Sequence, residues 1–250
     1  MLNDLMKTAV GAATAAGNFL LPLADISVAS AEGKDIKLYA DKESEKILIA
    51  KLQQTGIPIL SEESAEACQW QSGLRWIIDP IDGSYNLFKG LRDLCCVSVA
   101  LWEDMTPRLG VIYRFAKDDL YVGIPGTGAT LNGRAIYSSQ VAKIDQACLA
   151  TGFPVATDFS DAAMRERFRL FGRFKKVRML GTATLMCAFV GQGCVDVYSE
   201  KGILLWDIAA ALAVVEAVGG VYECEFLDNY GCNVIAYANQ ELYSDFKAKI

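Results

Sequence analysis

The sequence predicts an α/β protein divided into two lobes near residue 140. Its 250 residues are 52% hydrophobic and 22% charged, so the chain is long enough and apolar enough for a substantial buried core. Strand-like runs separated by turns dominate the first half, which indicates an antiparallel sheet. From about Val141 strands and helices alternate. We therefore expect an N-terminal α+β lobe over residues 1–140 and a C-terminal α/β lobe over residues 141–250.

Two predicted helices open the N-terminal half, and strands follow. Apolar residues recur at helical spacing over Leu2–Leu20, and the pattern favours a second helix over 41–53. Asn132-Gly133 is the dipeptide favoured in tight hairpin turns. Apolar runs predict strands at 57–60, 74–78, 95–102, 109–113 and 120–124.

Helices and strands alternate in the C-terminal half. Strands are expected at 148–151, 176–180, 194–198, 221–225 and 234–237. Helices are expected at 161–174, 182–190 and 206–218, and from Gln240 onward. Gly219-Gly220 follows the helix at 206–218 and is typical of a C-cap, so that helix should end there.

Composition excludes several classes of function. The chain carries 24 Lys and Arg against 30 Asp and Glu, a net charge of -6, so it lacks the basic surplus that binds nucleic acid or anionic lipid. It has no histidine, which excludes Ser-His-Asp and Cys-His nucleophiles and HExxH zinc sites. Catalysis must therefore use carboxylates, hydroxyls, thiols, Lys, Arg or a metal held by oxygen.

Cysteine usage and hydropathy indicate a cytoplasmic protein. None of the eight cysteines forms a C-x-x-C pair, so we expect buried thiols in a reducing compartment. The uncharged stretch Thr8–Ala24 lacks the dense apolar core of a secretory signal and fits the first helix better. No segment approaches the length of a membrane span, and we expect no membrane partner.

Carboxylates at the ends of apolar runs are the main functional signal: Glu62, Asp79, Asp82 and Asp207. Pro80 fixes its own backbone and favours an extended conformation for Asp79, so the Asp79–Asp82 segment should be a stiff bend. Such a bend can aim two carboxylates and the Ile81 carbonyl at one point. A solvated Asp-Pro turn is the simpler alternative.

Asp207 lies in the most apolar surroundings of the four. Ile203–Trp206 precede it, and Ile208–Val215 carry no other polar side chain. A buried carboxylate costs several kcal/mol unless a hydrogen bond, a cation or a metal meets it. An N-cap at the start of the following helix is the structural alternative. Together the four carboxylates suit Mg²⁺, and two or three ions there would support in-line displacement at phosphorus.

Several residues near these carboxylates are suited to binding phosphate. Gly83 and Ser84 open a short segment whose free N–H groups can hold an anion, and Ser84 adds a hydroxyl. Asp41 is a candidate to accept that hydroxyl's hydrogen bond, although a first-turn helix acid is the simpler interpretation. Gly181–Ala183 lies at another strand-to-helix transition and can likewise hold an anion, a signal that is weak by itself.

Sequence motifs then add a family resemblance. Trp76–Asn86 reads W-I-I-D-P-I-D-G-S-Y-N and resembles the W-I-I-D-P-I-D-G-T-x-N signature of the inositol monophosphatase family. Ser84 replaces the usual threonine but keeps its hydroxyl. Shorter matches agree in order and spacing: Ser61–Ser64 with G-E-E-S, Gly126–Gly133 with G-x-G-A-x-x-N-G, Leu205–Ala210 with W-D-x-A-A-G, and the landmarks Thr151–Pro154 and Gly181–Ala183.

The resemblance implies a layered αβαβα fold and Mg²⁺-dependent, Li⁺-sensitive hydrolysis of a phosphate monoester by a homodimer. The implied metal ligands are Glu62, Asp79, the Ile81 carbonyl, Asp82 and Asp207. The implied catalytic residues are Ser84, Asp41 and Glu62. The implied substrate-side residues are Asp82, Gly83, Ser84, Gly181, Thr182, Ala183 and Glu200.

The expected substrate is a small inositol, sugar or polyol monophosphate. Fructose 1,6-bisphosphate and histidinol phosphate remain open because substrate choice depends on loops. The 3'-phosphoadenosine 5'-phosphate branch of the family usually reads D-G-T-K-E-F, which Asp82–Leu87 lacks, so it is disfavoured. A non-catalytic binding protein is the alternative from another class of function.

Overall fold

The computed structural model of the chain describes residues 2–23, 27–32, 35–64, 72–155 and 157–249. Its helices are α1 Leu2–Leu20, α2 Tyr39–Leu52, α3 Ser84–Phe88, α4 Asp161–Phe171, α5 Ala183–Gly191, α6 Leu205–Ala217 and α7 Gln240–Lys247. Its strands are β1 Val28–Glu32, β2 Asp35–Leu38, β3 Ile59–Ser61, β4 Leu74–Asp82, β5 Cys96–Glu103, β6 Thr106–Arg114, β7 Asp119–Ile124, β8 Gly128–Leu131, β9 Arg134–Ala135, β10 Cys148–Thr151, β11 Lys176–Arg178, β12 Val197–Leu204, β13 Val221–Phe226 and β14 Gly231–Tyr237.

The N-terminal half forms a seven-stranded sheet in sequential order from β3 to β9. Strand β3 is parallel to β4, and every later neighbour is antiparallel, which confirms the predicted antiparallel character. The turn from β8 to β9 is at Asn132-Gly133, where both residues have positive φ (50° and 73°), as a two-residue hairpin turn requires.

Alternation along β5 gives this sheet two buried faces. Val97, Val99 and Leu101 point towards α1 and α2, while Ala100 and Trp102 point towards α6. Helix α1 meets the first face with a narrow row of buried small residues, and this close approach explains its many alanines.

Helices α5 and α6 form the central layer between the two sheets. Helix α6 contacts β4 to β8 on one side and β12 to β14 on the other. A Cβ atom at Gly110 of β6 would overlap the carbonyl oxygen of Ala210, so glycine permits α6 to lie directly on the sheet. This contact sets how closely α6 approaches the sheet.

The second sheet has five strands in the order β11-β10-β12-β14-β13. Its inner face packs on α5 and α6. On its outer face, Leu170 of α4 and Phe246 of α7 pack with Val197 and Tyr237. The layers are therefore α1/α2, sheet, α5/α6, sheet and α4/α7, which confirms the expected αβαβα fold. The division at residue 140 remains a prediction, because one hydrophobic cluster joins both sheets through α6.

Several element boundaries differ from the predictions. Helix α2 begins at Tyr39 instead of 41, α4 ends at Phe171 instead of 174, and β12 runs over Val197–Leu204 instead of 194–198. The β1–β2 hairpin had no distinct sequence signal. Among the described helices none is long and apolar enough to cross a membrane.

The cysteines agree only in part with the expectation of burial. Cys95, Cys96, Cys187 and Cys232 are buried, whereas Cys148 and Cys224 are half-buried and Cys194 is exposed. Cys68 lies outside the described residues.

Candidate active site

The Asp79–Asp82 segment belongs to strand β4 rather than to a loop. The prediction that the strand ends at residue 78 is wrong, because β4 continues to Asp82. Asp79 pairs with Ser98 and Asp82 with Cys96, so β4 has one more residue than β5 between these pairs and forms a bulge. A bulge tolerates Pro80, which cannot donate to the ladder. The Ser44 hydroxyl donates to the Pro80 carbonyl at 2.8 Å and holds the bulge against α2.

Three carboxylates converge at this bulge. Oxygen atoms of Glu62, Asp79 and Asp207 all lie within 4.8 Å of one another. Glu62 directly follows β3, and Asp79 lies on the neighbouring strand β4. Asp207 is the third residue of α6 and not its N-cap, but it accepts the N–H of the N-cap residue Leu204 at 3.2 Å, so the structural alternative is confirmed only in that Asp207 accepts a backbone hydrogen bond at the start of the helix.

Asp79 has an unsatisfied oxygen at the centre of this group. Its Oδ1 accepts the N–H of Ile81 at 2.9 Å, while the buried Oδ2 accepts no hydrogen bond from the described residues. Burial raises the pKa of Asp79 well above its usual value, and the charges of Glu62, Asp82 and Asp207 add to this. Burial and the charges of Glu62, Asp82 and Glu200 likewise raise the pKa of Asp207.

These observations fit a hard divalent cation. The donor set consists of carboxylate oxygens, which Mg²⁺ prefers, and the orphaned Oδ2 of Asp79 lacks a partner that a cation would supply. A cation would also neutralise the repulsion that raises the pKa of Asp79 and Asp207.

Asp82 lies in the same cavity, but its oxygens face the N-terminus of α5. It accepts hydrogen bonds from the Thr182 hydroxyl, from the N–H of Thr184 at 2.9 Å and from the N–H of Ala183 at 3.3 Å. Burial raises the pKa of Asp82, and these hydrogen bonds oppose the rise. Asp82 is therefore not a member of the converging trio, and its role as a metal ligand remains a prediction.

Ser84 and Asp41 form a hydrogen-bonded pair beside the carboxylates. The Ser84 Oγ lies 2.8 Å from Asp41 Oδ1 and 2.9 Å from the Ile81 carbonyl oxygen. Asp41 is the third residue of α2, and its Oδ2 accepts the N–H of Leu38 at 2.6 Å. Asp41 is thus a first-turn helix acid and the partner of Ser84 at once.

The backbone at Gly83 explains how Ser84 reaches this position. Gly83 has φ 88°, and a Cβ atom there would lie 2.7 Å from the carbonyl oxygen of Leu94. Only glycine accommodates both constraints. The next residue, Ser84, begins α3 with its hydroxyl directed at Asp41.

The remaining predicted residues line one cavity of about 270 Å³ with the carboxylates. Its lining includes Gly83, Ser84, Gly181, Thr182, Ala183 and Glu200. Glu200 is buried, and burial with the charge of Asp82 raises its pKa to about 8, although Arg167 opposes the rise. A protonated Glu200 can donate a hydrogen bond as well as accept one.

Asn86 is a positioning residue that the sequence analysis did not single out. Its Nδ2 lies 3.1 Å from the carbonyl oxygen of Leu94, 2.8 Å from that of Leu180 and 3.0 Å from that of Gly181. It therefore ties α3 to the segment before α5. Asn86 is part of the matched signature, and that was the available signal. Ser44, which holds the bulge, had no signal in the sequence.

The fold and this cavity define a class of proteins: αβαβα sandwiches with an acidic cavity lined by residues of both sheets. Residues 1–242 match the model of the inositol monophosphatase family. The chain belongs to that family.

Among the similar sequences, some are named as a Nus factor and one as an inositol-1-monophosphatase. The chain is 33% identical over 233 residues to the Nus factor SuhB of Xylella fastidiosa, covering 90% of this chain and 83% of the relative. It is 34% identical over 200 residues to the inositol-1-monophosphatase of Synechocystis, covering 78% and 69%.

Solved structures agree along nearly the whole chain. The extragenic suppressor protein suhB of Bartonella henselae superposes with a TM-score of 0.86 at 27% identity, covering 98% of this chain and 97% of that one. The inositol monophosphatase of Anabaena gives a TM-score of 0.82 at 28% identity, covering 99% and 95%.

Proposed function

We propose that this protein is a Mg²⁺-dependent phosphatase that hydrolyses a small phosphate monoester. The observation that carries the proposal is that Asp79, whose buried Oδ2 accepts no hydrogen bond from the described residues, converges with two further carboxylates beside the Ser84–Asp41 pair. Family membership and the name of the Synechocystis relative support the same activity. An inositol, sugar or polyol monophosphate is the substrate class that the resemblance favours.

Glu62, Asp79 and Asp207 would hold the cation, with the Ile81 carbonyl and Asp82 as further ligands. Mg²⁺ bound there would lower the pKa of the attacking water and stabilise negative charge on the phosphoryl oxygens. The number of ions, two or three, is part of the proposal.

The Ser84–Asp41 pair would orient the attacking water. A serine hydroxyl that donates to Asp41 Oδ1 keeps its lone pairs available, so Ser84 Oγ can accept a hydrogen bond from a water in the cavity. The Ser84 hydroxyl proton stays directed at Asp41 Oδ1, because the N–H of Leu38 donates to Asp41 Oδ2 and fixes the carboxylate. The water would therefore present a lone pair, rather than a hydrogen, to the phosphorus atom.

The opposite wall would bind the substrate. Thr182 precedes and Ala183 begins α5 at the cavity, where the positive end of the helix dipole favours an anion, while the N–H groups of Ala183 and Thr184 themselves donate to Asp82. Glu200 lines the same cavity and, in its protonated form, can donate to a substrate hydroxyl while accepting from another. The phosphate would lie between the carboxylates and α5, with the alcohol portion directed at Glu200.

Phosphate release from a substrate panel tests this proposal. The panel contains inositol, sugar, histidinol and nucleotide monophosphates and fructose 1,6-bisphosphate, each measured with Mg²⁺, with EDTA and with added Li⁺. We expect turnover that requires Mg²⁺ and falls with Li⁺. A folded protein that binds Mg²⁺ yet releases no phosphate from any compound would refute the activity.

A role as a Nus factor is the second candidate, and the name of the Xylella fastidiosa relative favours it. Expression of the wild-type chain and of Asp79→Asn in a bacterium that lacks its own SuhB distinguishes the two candidates. Equal restoration by both chains supports a role that is independent of the acidic site. Our expectations of no nucleic-acid partner, a homodimer and a cytoplasmic location remain predictions.

A further inference from the structure

Exposed aromatic side chains border the acidic cavity in two pairs from distant parts of the chain. Tyr85 and Phe88 of α3 have ring centroids 6.2 Å apart, and Phe153 and Phe159, which follow β10, have centroids 5.5 Å apart. Tyr85 and Phe153 line the cavity itself, yet they are 56% and 40% exposed. We call these four residues the aromatic rim.

Cationic side chains hold the rim in place. The Nζ of Lys89 lies 5.5 Å from the ring centroid of Tyr85 and 5.2 Å from that of Phe88. The guanidinium of Arg167 lies 5.3 Å from the ring centroid of Phe153, and it also donates to the carbonyl of Gly152 at 3.3 Å. These contacts preorganise the rings before a ligand arrives, which lowers the entropy cost of binding.

The rim is chemically unlike the interior of the cavity. The interior offers carboxylates and hydroxyls, which suit a phosphate and the hydroxyls of its ester, whereas the rim offers ring faces and edges. Exposed rings clustered at a concave polar site are a typical sign of a ligand with an apolar, flat portion. Tyr85 directly follows Ser84, which lies beside the proposed phosphate position. A ring stacked on Tyr85 would therefore belong to the alcohol of the phosphate ester bound there.

We infer that, in addition to the inositol, sugar or polyol monophosphates of the proposed function, the site takes phosphate monoesters whose alcohol carries a flat, unsaturated ring, which stacks on Tyr85 and Phe153. This inference rests on the proposed phosphatase function. The rim contacts are made equally in the bound substrate and in the transition state, so they lower KM and leave kcat unchanged.

Benzyl phosphate and cyclohexylmethyl phosphate form a matched pair for the test, because they share size and leaving-group type but only the first has a flat ring. We expect the wild type to show a lower KM for benzyl phosphate. Tyr85→Ala and Phe153→Ala should each raise that KM about tenfold, since stacking on one aromatic ring is worth ~1.4 kcal/mol or more. Tyr85→Phe should retain the wild-type value.

Phe168→Ala is the matched control, since Phe168 is 66% exposed on α4 and contacts Phe171. It should leave both KM values unchanged. Equal KM values for the two esters in the wild type, or a preference that survives both Tyr85→Ala and Phe153→Ala, would overturn the inference.

A binding measurement separates this inference from the proposed activity. Calorimetric titration with benzylphosphonate and with cyclohexylmethylphosphonate, in Mg²⁺, reports ring preference without hydrolysis. Tighter binding of benzylphosphonate that depends on Tyr85, in a protein that releases no phosphate, would support ring binding at the aromatic rim and refute the phosphatase activity. Absence of that preference would overturn the rim, whatever the activity.

Discussion

Asp79→Asn should make the protein more stable in EDTA while removing its response to Mg²⁺. Oxygens of Asp79, Glu62 and Asp207 lie within 4.8 Å of one another. At that separation and an effective dielectric constant of about 20, two unit charges repel by about 3 kcal/mol. In the wild type, protonation already relieves part of this repulsion. We therefore expect Asp79→Asn to raise the free energy of unfolding by about 2 kcal/mol at pH 8.

The substitution is close to isosteric, so other contacts should persist. The amide oxygen can still accept the N–H of Ile81, and the amide nitrogen replaces the orphaned Oδ2 and can donate to a neighbouring carboxylate. For a chain of this size each kcal/mol moves Tm by about 2–4 °C, which predicts a rise of about 4–8 °C in EDTA.

Magnesium should reverse the order of stability. A ligand at 100 times its Kd stabilises the folded state by about 2.7 kcal/mol, and we expect the wild type alone to gain this. Thermal unfolding of both proteins in EDTA and in Mg²⁺ measures each effect. Asp196→Asn is the control, because Asp196 is a buried carboxylate outside the cavity that accepts the N–H of Cys148 at 2.7 Å. An equal Mg²⁺ shift in the wild type and Asp79→Asn would refute the reasoning.

Further substitutions at three residues test individual contacts of the site. Ser84→Ala should lower kcat by about 100-fold, the lower end of the range for a group that assists proton transfer, with KM little changed, whereas Ser84→Thr should stay active. An equal loss of kcat in Ser84→Ala and Ser84→Thr, measured in steady-state assays, would remove the hydroxyl from the mechanism. Because the folded pKa of Glu200 is raised to about 8 from 4.5, its contribution to stability is present below pH 4.5 and falls as pH rises to 8. Glu200→Gln should therefore make unfolding free energy in EDTA less dependent on pH over that range, and denaturant titrations that show an unchanged slope would contradict this. Gly83→Ala should lower the free energy of unfolding by about 1–2 kcal/mol because of the positive φ, and further because the new Cβ clashes with the carbonyl oxygen of Leu94. An unchanged Tm would argue against backbone strain at this position.

Local sequence patterns predicted most of the secondary structure. Helical periodicity located α1, and the dipeptide Asn132-Gly133 located the β8–β9 turn, because both signals depend on residues near in sequence. The same patterns ended β4 too early. The bulge that carries β4 through Pro80 depends on pairing with β5 and on the hydrogen bond from Ser44, which are contacts between distant residues.

The candidate site was likewise predicted only in part. Glu62, Asp79 and Asp207 were predicted as a group because each carboxylate stands beside an apolar run. That Asp82 faces α5 could not be predicted, since its partners Thr182, Ala183 and Thr184 lie about 100 residues further along the chain. The aromatic rim likewise joins α3 to the segment after β10, and no local pattern connects the two.

The sequence by itself determined the kinds of residue available: oxygen ligands without histidine, a serine hydroxyl directly after a glycine, and most helices and strands in their order. Only the tertiary structure decided which carboxylate oxygens meet, which one lacks a partner, and which rings border the cavity. The physical reason is that side-chain chemistry and local backbone preference act between neighbours in the chain. Convergence at a site is set instead by the packing of α6 between two sheets and by strand register.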